Sequence, residues 1–390
     1  MIPHISEGTI LFRDDVEQHS QLFNNPEQLI IIEQASDFEV GFAALETARR
    51  QGKWLAGYFS YEAGFLLEPK LAALLPEQRR VPLICFGVFS EPPATISADT
   101  QPKDTNAGLS NFHAGWSQSD YQQRFDRLHR HLREGDCYQG NLTFPITAQY
   151  HGAPEALFNN LSKRQPVRYS AFVHLTSQDK APLILSRSPE LFFEVDKDGW
   201  IETHPMKGTT PRGATPQEDD ALRDFLIHDE KSQAENRMIV DLLRNDISLI
   251  SEVGSLSVPK LFHVERYPTV HQMVSHVRAK LLPDLTLRQI FAALFPCGSI
   301  TGAPKISAMT ILHALEQQAR DMYCGSIGWI APSGEMRFNV AIRTLSLYPN
   351  GEAVLNVGGG VVYDSTAEAE YAECLLKARY ATGDSPVSGT

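Results

Sequence analysis

Residues 324–362 constrain the fold more than any other stretch. Strand-like runs at 324–330, 337–347 and 353–357 are separated by the turn sequences Pro332-Ser-Gly334 and Pro349-Asn-Gly351. The last run leads into Gly358-Gly-Gly-Val-Val362. Strand, tight turn, strand is an antiparallel meander. A doubly wound sheet instead needs a crossover, usually helical, between successive parallel strands. The meander argues against a Rossmann-type sheet. The triple glycine comes late and between strand-like segments, so it is not a dinucleotide fingerprint, although such glycines let backbone approach a ligand closely.

The rest of the chain alternates strands and helices. Residues 29–33, 57–64 and 81–90 read as strands and turns. Residues 91–112 are rich in Pro, Ser, Thr, Asp and Asn and read as a linker between residues 1–110 and 115–382. Ser119 is placed to cap a helix that carries Tyr121, Phe125, Leu128 and Leu132 on one face. Residues 217–246 read as helix, with Glu235 beside Met238, Ile239 and Leu242 on one face. A carboxylate within an apolar stripe needs a partner, and alone this one reads as a rim ion pair. Gly298-Ser-Ile-Thr-Gly-Ala-Pro-Lys305 is a turn feeding a helix whose free amides favour an anion. The last helix, 366–381, aligns Glu370, Glu373 and Lys377 at i, i+3 and i+7. That row is either an exposed ion ladder or two hard oxygen ligands for a cation with a lysine beside them. Residues 383–390 form a short tail.

His204-Pro-Met-Lys-Gly-Thr-Thr-Pro-Arg-Gly213 places Lys207 between two prolines and two glycines. Proline fixes φ and removes a backbone donor, so neither a helix nor a regular strand is expected here. A lysine on such a shaped loop is either solvated surface or, once desolvated and neutral, a nucleophile.

Composition narrows the function. A formal charge of −12 across 390 residues argues against nucleic acid as a partner but leaves room for a small anionic substrate. No apolar run approaches the ~20 residues that cross a membrane, and no secretory signal opens the sequence. The five cysteines are scattered and odd in number, which fits reduced cytoplasmic thiols rather than disulfides or a zinc motif.

Eight short blocks then fall in one order. They are Gly135-Asp-Cys-Tyr-Gln139, Ser186-Arg-Ser-Pro-Glu-Leu-Phe192, Pro205-Met-Lys-Gly-Thr209, the 234–246 run ending in Arg244-Asn-Asp246, Thr301-Gly-Ala-Pro-Lys305, Ala341-Ile-Arg-Thr344, Gly358-Gly-Gly360 and Glu370-Tyr-Ala-Glu373. Together they resemble the chorismate-utilising enzymes over residues 115–382, with a weaker N-terminal match. Lys207 and Gln139 stand at positions that separate subclasses of that family. They point to members that aminate chorismate at ring carbon 4, with an anthranilate synthase large subunit as the alternative.

The resemblance implies an α+β fold in which two large, mainly antiparallel β-sheets pack together with helices on the outside. Residues 1–110 would then be part of the sandwich and not independent. It implies Lys207 as covalent nucleophile and Glu190 as general acid. It implies Glu235 and Glu373 as Mg²⁺ ligands, with Glu370 direct or through water. Ser232 stands where the family often carries a further acidic residue. Arg343 and Tyr323 would grip a carboxylate, with amides near Gly302, Gly359 and Gly360 as donors. Thr301, His271, Gln139 and Lys377 would complete the substrate site. No glutaminase nucleophile motif is present, so nitrogen is expected from a separate glutamine amidotransferase subunit.

Overall fold

The computed structural model describes residues 5–97, 106–267 and 270–389. Two ten-stranded sheets organise the described residues. In the first, the long strand Gln139–His151 pairs along its length with the glycine strand Glu352–Val361. In the second, the edge strand Met206–Pro211, here called the lysine strand, pairs with Val270–Lys280. The long ladders are antiparallel in both sheets, as the meander at 324–362 requires.

Alternation along the strands buries both faces of each sheet. Ile10, Phe23, Tyr58, Cys85, Val173, Ile184, Ile327 and Ala341 form the layer between the sheets. Phe59, Phe193, Phe291 and Phe338 fill the opposite face of the second sheet, where Phe59 and Phe291 have ring centroids 4.2 Å apart. Aromatic pairs at such distances add to the free energy of burial. The N-terminal strands belong to both sheets. Thr9–Asp14 pairs with Tyr169–His174, and Trp54–Phe59 pairs with Ser326–Ile330. The structure is the α+β sandwich expected from the sequence.

Several local expectations need correction. Residues 91–112 are not simply a linker: Ala94–Ser97 pairs with His19–Phe23, and Gly108–Ala114 pairs with Gln139–His151. Residues 98–105, between them, lie outside the described residues. Ser117, not Ser119, caps the helix Gln118–Glu134, in a reciprocal capping box with Asp120. Residues 217–246 form two helices, Pro216–His228 and Glu230–Ser248, because Asp229 is extended and accepts a hydrogen bond from the Ser232 amide at 2.9 Å. The triple glycine does not interrupt its strand.

Candidate active site

The lysine segment is a strand after all, but a broken one. Met206 lies opposite Val274 and Thr209 opposite Gln272, with an irregularity between the two pairs. Gly208 makes it, at φ 89°. The strand tolerates Pro211 because it sits at a sheet edge, where a missing donor costs least. Gln272 Nε2 donates to the Gly208 carbonyl at 2.8 Å. A Cβ on Gly208 would lie 2.6 Å from Ser232 Cβ, so the helix Glu230–Ser248 presses on the irregularity. The small Ser232 is what allows that approach.

This geometry turns Lys207 inward. Its Nζ lies 3.6 Å from where a Cβ on Gly360 would stand, and Gln139 Nε2 lies 3.1 Å from the same point. Gly360 therefore leaves a hollow that lysine and glutamine share. Gln139 is 2% exposed, and its Nε2 is buried without a hydrogen-bond partner. Lys207 has no ion pair among the described residues.

Glu190 faces the same hollow. It is buried, and its Oε1 accepts from Ser299 Oγ at 2.8 Å. Burial pushes its carboxyl up, against the Ser299 hydrogen bond and the positive fields of Lys207, Arg343 and Lys377. A carboxyl shifted this way holds its proton more tightly than a free one, as a general acid must. Its backbone is fixed by Ser188, whose hydroxyl accepts from the Glu190 amide at 3.2 Å and donates to the Val340 carbonyl at 2.6 Å.

Arg343 supplies a cation without a counter-ion. It has no ion pair among the described residues, and its φ of 51° lies in the left-handed region, an arrangement that costs free energy and clusters at functional sites. Burial lowers its pKa, opposed by Tyr380, Tyr323 and Glu190. Burial raises the Tyr323 phenol well above its ordinary value. The Tyr380 hydroxyl is buried and unpartnered. A planar guanidinium that has no carboxylate partner among the described residues is fitted to grip one.

The C-terminal helix Ala367–Thr382 presents the acidic wall. Ser365 Oγ donates to Glu370 Oε1 at 2.7 Å. A Cβ on Gly359 would lie 2.6 Å from Glu370 Oε2. Burial raises the Glu370 carboxyl, and the charge of Glu373 adds to the shift. Burial works the same way on Glu373, but Lys377, Lys207 and Lys231 outweigh it and hold that carboxyl below its ordinary value. Lys377 Nζ sits 2.8 Å from Glu373 Oε1 and donates to the Gly358 carbonyl at 2.9 Å. Glu235, from the helix Glu230–Ser248, is part-exposed with Lys231 at 4.0 Å. The oxygens of Glu235, Glu370 and Glu373 are not all within 4.8 Å of one another. Hard carboxylate oxygens, with burial and then the charge of exposed Glu373 raising the partly buried Glu370, are nonetheless a donor set that fits Mg²⁺.

Other expected residues have different employment. The Thr301 hydroxyl is fully buried and donates toward the Cys297 and Gly298 carbonyls, at 3.2 and 3.3 Å. Gly302 lets two strands meet: a Cβ there would be 2.2 Å from the Gln139 carbonyl oxygen. His271 Nε2 is 2.8 Å from Asp219 Oδ1, and its Nδ1 is buried and unpartnered. Ser299 and Tyr380 were not singled out from the sequence. Ser299 lies within the marked 298–305 turn. Tyr380 continues the Glu373 and Lys377 row at i+7, a spacing that helical periodicity makes visible.

An α+β sandwich that sets a lysine and an arginine without ion pairs among the described residues within the electrostatic reach of a buried carboxyl is suited to binding a small carboxylate. The architecture is similar to that of anthranilate synthase component I from Streptococcus pneumoniae TIGR4, with a TM-score of 0.79, 27% identity, and coverage of 93% of this chain and 91% of that one. The chain belongs to the chorismate binding enzyme family, whose sequence model matches residues 8–383. It is 40% identical over 309 residues to aminodeoxychorismate synthase component 1 of Klebsiella aerogenes, covering 78% of this chain and 67% of that protein. It is 41% identical over 281 residues to the protein of the same name from Escherichia coli (strain K12), covering 72% of this chain and 61% of the relative.

Proposed function

We propose that the chain is the chorismate-aminating component of an aminodeoxychorismate synthase. It converts chorismate and ammonia into 4-amino-4-deoxychorismate and water, on the route to p-aminobenzoate and folate. The observation that carries this reading is the unpaired Lys207 amine beside buried Glu190 and Gln139, over Gly360.

Arg343 and Tyr323 hold the enolpyruvyl carboxylate. Glu190 gives its proton to the hydroxyl on ring carbon 4 as Lys207 Nζ bonds to carbon 2. The ring double bonds shift and water departs. Ammonia then bonds to carbon 4, the double bonds shift back, the bond from lysine to carbon 2 breaks with its electron pair returning to Nζ, and the proton shed by the added nitrogen restores the Glu190 carboxyl. Two allylic displacements replace one difficult substitution. Glu235, Glu370 and Glu373 would hold Mg²⁺, whose charge neutralises the ring carboxylate. Ammonia comes from a separate glutamine amidotransferase subunit. The compartment is the cytoplasm, in keeping with five buried, unpaired cysteines and with the lack, among the described residues, of any helix long and apolar enough to cross a membrane.

Mass spectrometry of the product from purified chain, chorismate, ammonium and Mg²⁺ tests this. The expected product is 4-amino-4-deoxychorismate with its enolpyruvyl group retained. Anthranilate as the main product overturns the assignment.

A further inference from the structure

The strand Trp200–Thr203 carries Glu202 on one face, and His204 follows two residues on, on that same face. Its pairing with Val270–Lys280 sets Glu202 opposite Arg278 and Thr203 opposite Val277, so His204 comes level with His276. The two imidazoles lie with centroids 3.9 Å apart. One ligand atom from each of Glu202, His204 and His276 lies within 4.8 Å of the other two.

The surroundings complete the set. His276 Nε2 is buried without a hydrogen-bond partner. Glu265 Oε1 lies 3.9 Å from it, and Tyr267 donates to Glu265 Oε2 at 2.9 Å. Glu202 Oε1 faces Arg278 Nε at 3.0 Å, while its Oε2 turns to His204 Nε2 at 3.4 Å. Arg278 thus orients one carboxylate and Tyr267 the other, the outer support that metal ligands usually have. The positive charges nearby are Arg278 and Arg168, and Lys260 stands opposite His276 on the neighbouring strand.

We propose that Glu202, His204 and His276 bind one zinc-class divalent ion at a site separate from Glu235, Glu370 and Glu373, with Glu265 beside His276 able to swing in as a further donor. Two imidazoles with a carboxylate select a borderline ion over Mg²⁺, and bonds of about 2.0–2.2 Å require the two rings, now stacked at 26°, to rotate so that their nitrogens converge. The ion would tie the segment just before the lysine strand to the strand that sets the lysine strand's register.

The full chain, stripped of metal with a chelator and kept in excess Mg²⁺, is titrated with Co²⁺ and then with Zn²⁺ in competition. One Co²⁺ per chain with visible ligand-field bands is expected, displaced by Zn²⁺ and lost as the pH falls and the imidazoles protonate. His204→Asn and His276→Asn should each weaken binding by about 10-fold or more, while Glu373→Gln leaves it unchanged. Glu265→Gln carries the test if either histidine variant fails to fold. Absence of stoichiometric Co²⁺ or Zn²⁺ uptake by the wild type overturns the site. So does uptake unaffected by these substitutions.

Discussion

The two ends of the lysine strand are built on opposite principles. At the Lys207 end, polar groups are left unmatched: Lys207 and Arg343 have no ion pair among the described residues, and Gln139 Nε2 has no hydrogen-bond partner. At the other end, Asp219 is saturated. It receives Arg212 Nε and Nη2 at 2.7 and 2.9 Å, the Gly213 amide at 3.0 Å and His271 Nε2 at 2.8 Å. Buried polar groups are normally satisfied, so the unmatched end is where a ligand's own groups belong. The matched end fixes the backbone that delivers the lysine. The two acids report the same contrast. Burial raises the Glu190 carboxyl, whereas Arg212, then Gly213 and His271, pull Asp219 far below the usual range against the effect of burial.

The largest effect should follow removal of the amine. Lys207→Ala is expected to lower aminating turnover by on the order of 10³-fold or more, the scale on which loss of a covalent nucleophile is felt, with chorismate binding retained in calorimetry. Unchanged turnover with ammonium would erase the distinction between the two ends. Glu190→Gln should come next, at about 10²–10⁴-fold, as for a general acid. Its stability should move the other way. A carboxyl with a raised folded pKa binds its proton more tightly in the folded state, so wild-type stability falls as pH rises from the ordinary carboxylate range through the folded pKa. The glutamine variant escapes that loss. It should therefore melt higher than wild type at alkaline pH, with the gap closing in acid. A gap independent of pH would mean that folding does not shift the Glu190 carboxyl.

Much of this was legible in the sequence because it is local. The turns at Pro332-Ser-Gly334 and Pro349-Asn-Gly351 announce antiparallel pairing by themselves, and Gly135 stops its helix in the left-handed conformation that glycine permits. Lys207 and Glu190 were visible through their blocks, although only the folded chain brings the Lys207 charge to bear on Glu190. What stayed hidden depends on register and on distant partners. The lysine segment looked too rich in proline for a strand, yet an edge position and the left-handed Gly208 accommodate it. His271 resembled a substrate residue, and nothing in its neighbourhood foretells Asp219, which is 52 positions away. The linker at 91–112 failed for the same reason: short polar strands set among prolines and turn residues read like loops, and only their distant partners show otherwise.

The smallest effect on catalysis is expected at the matched end, and it is the most discriminating. Asp219→Asn keeps the size of the side chain but removes its charge and turns an amide donor toward Arg212 or His271, both of which are donors toward this group. Gly213 has no slack to absorb a shift, since a Cβ there would lie 2.2 Å from the Asp219 nitrogen. Thr215 still caps the helix Pro216–His228, so the loss should stay local. The variant should melt lower than wild type at neutral pH. Because a carboxylate with a depressed folded pKa contributes stability above its unfolded pKa and loses it as pH falls, the difference should shrink in acid. Turnover at saturating chorismate should fall by less than about 10-fold, below the range of a lost general acid, since the hydrogen bonds of Asp219 all run to groups of the protein itself. If Asp219→Asn instead cost as much turnover as Lys207→Ala while melting like wild type, the Arg212–Asp219–His271 network would belong to the chemistry, and His271 would face the substrate as the sequence suggested.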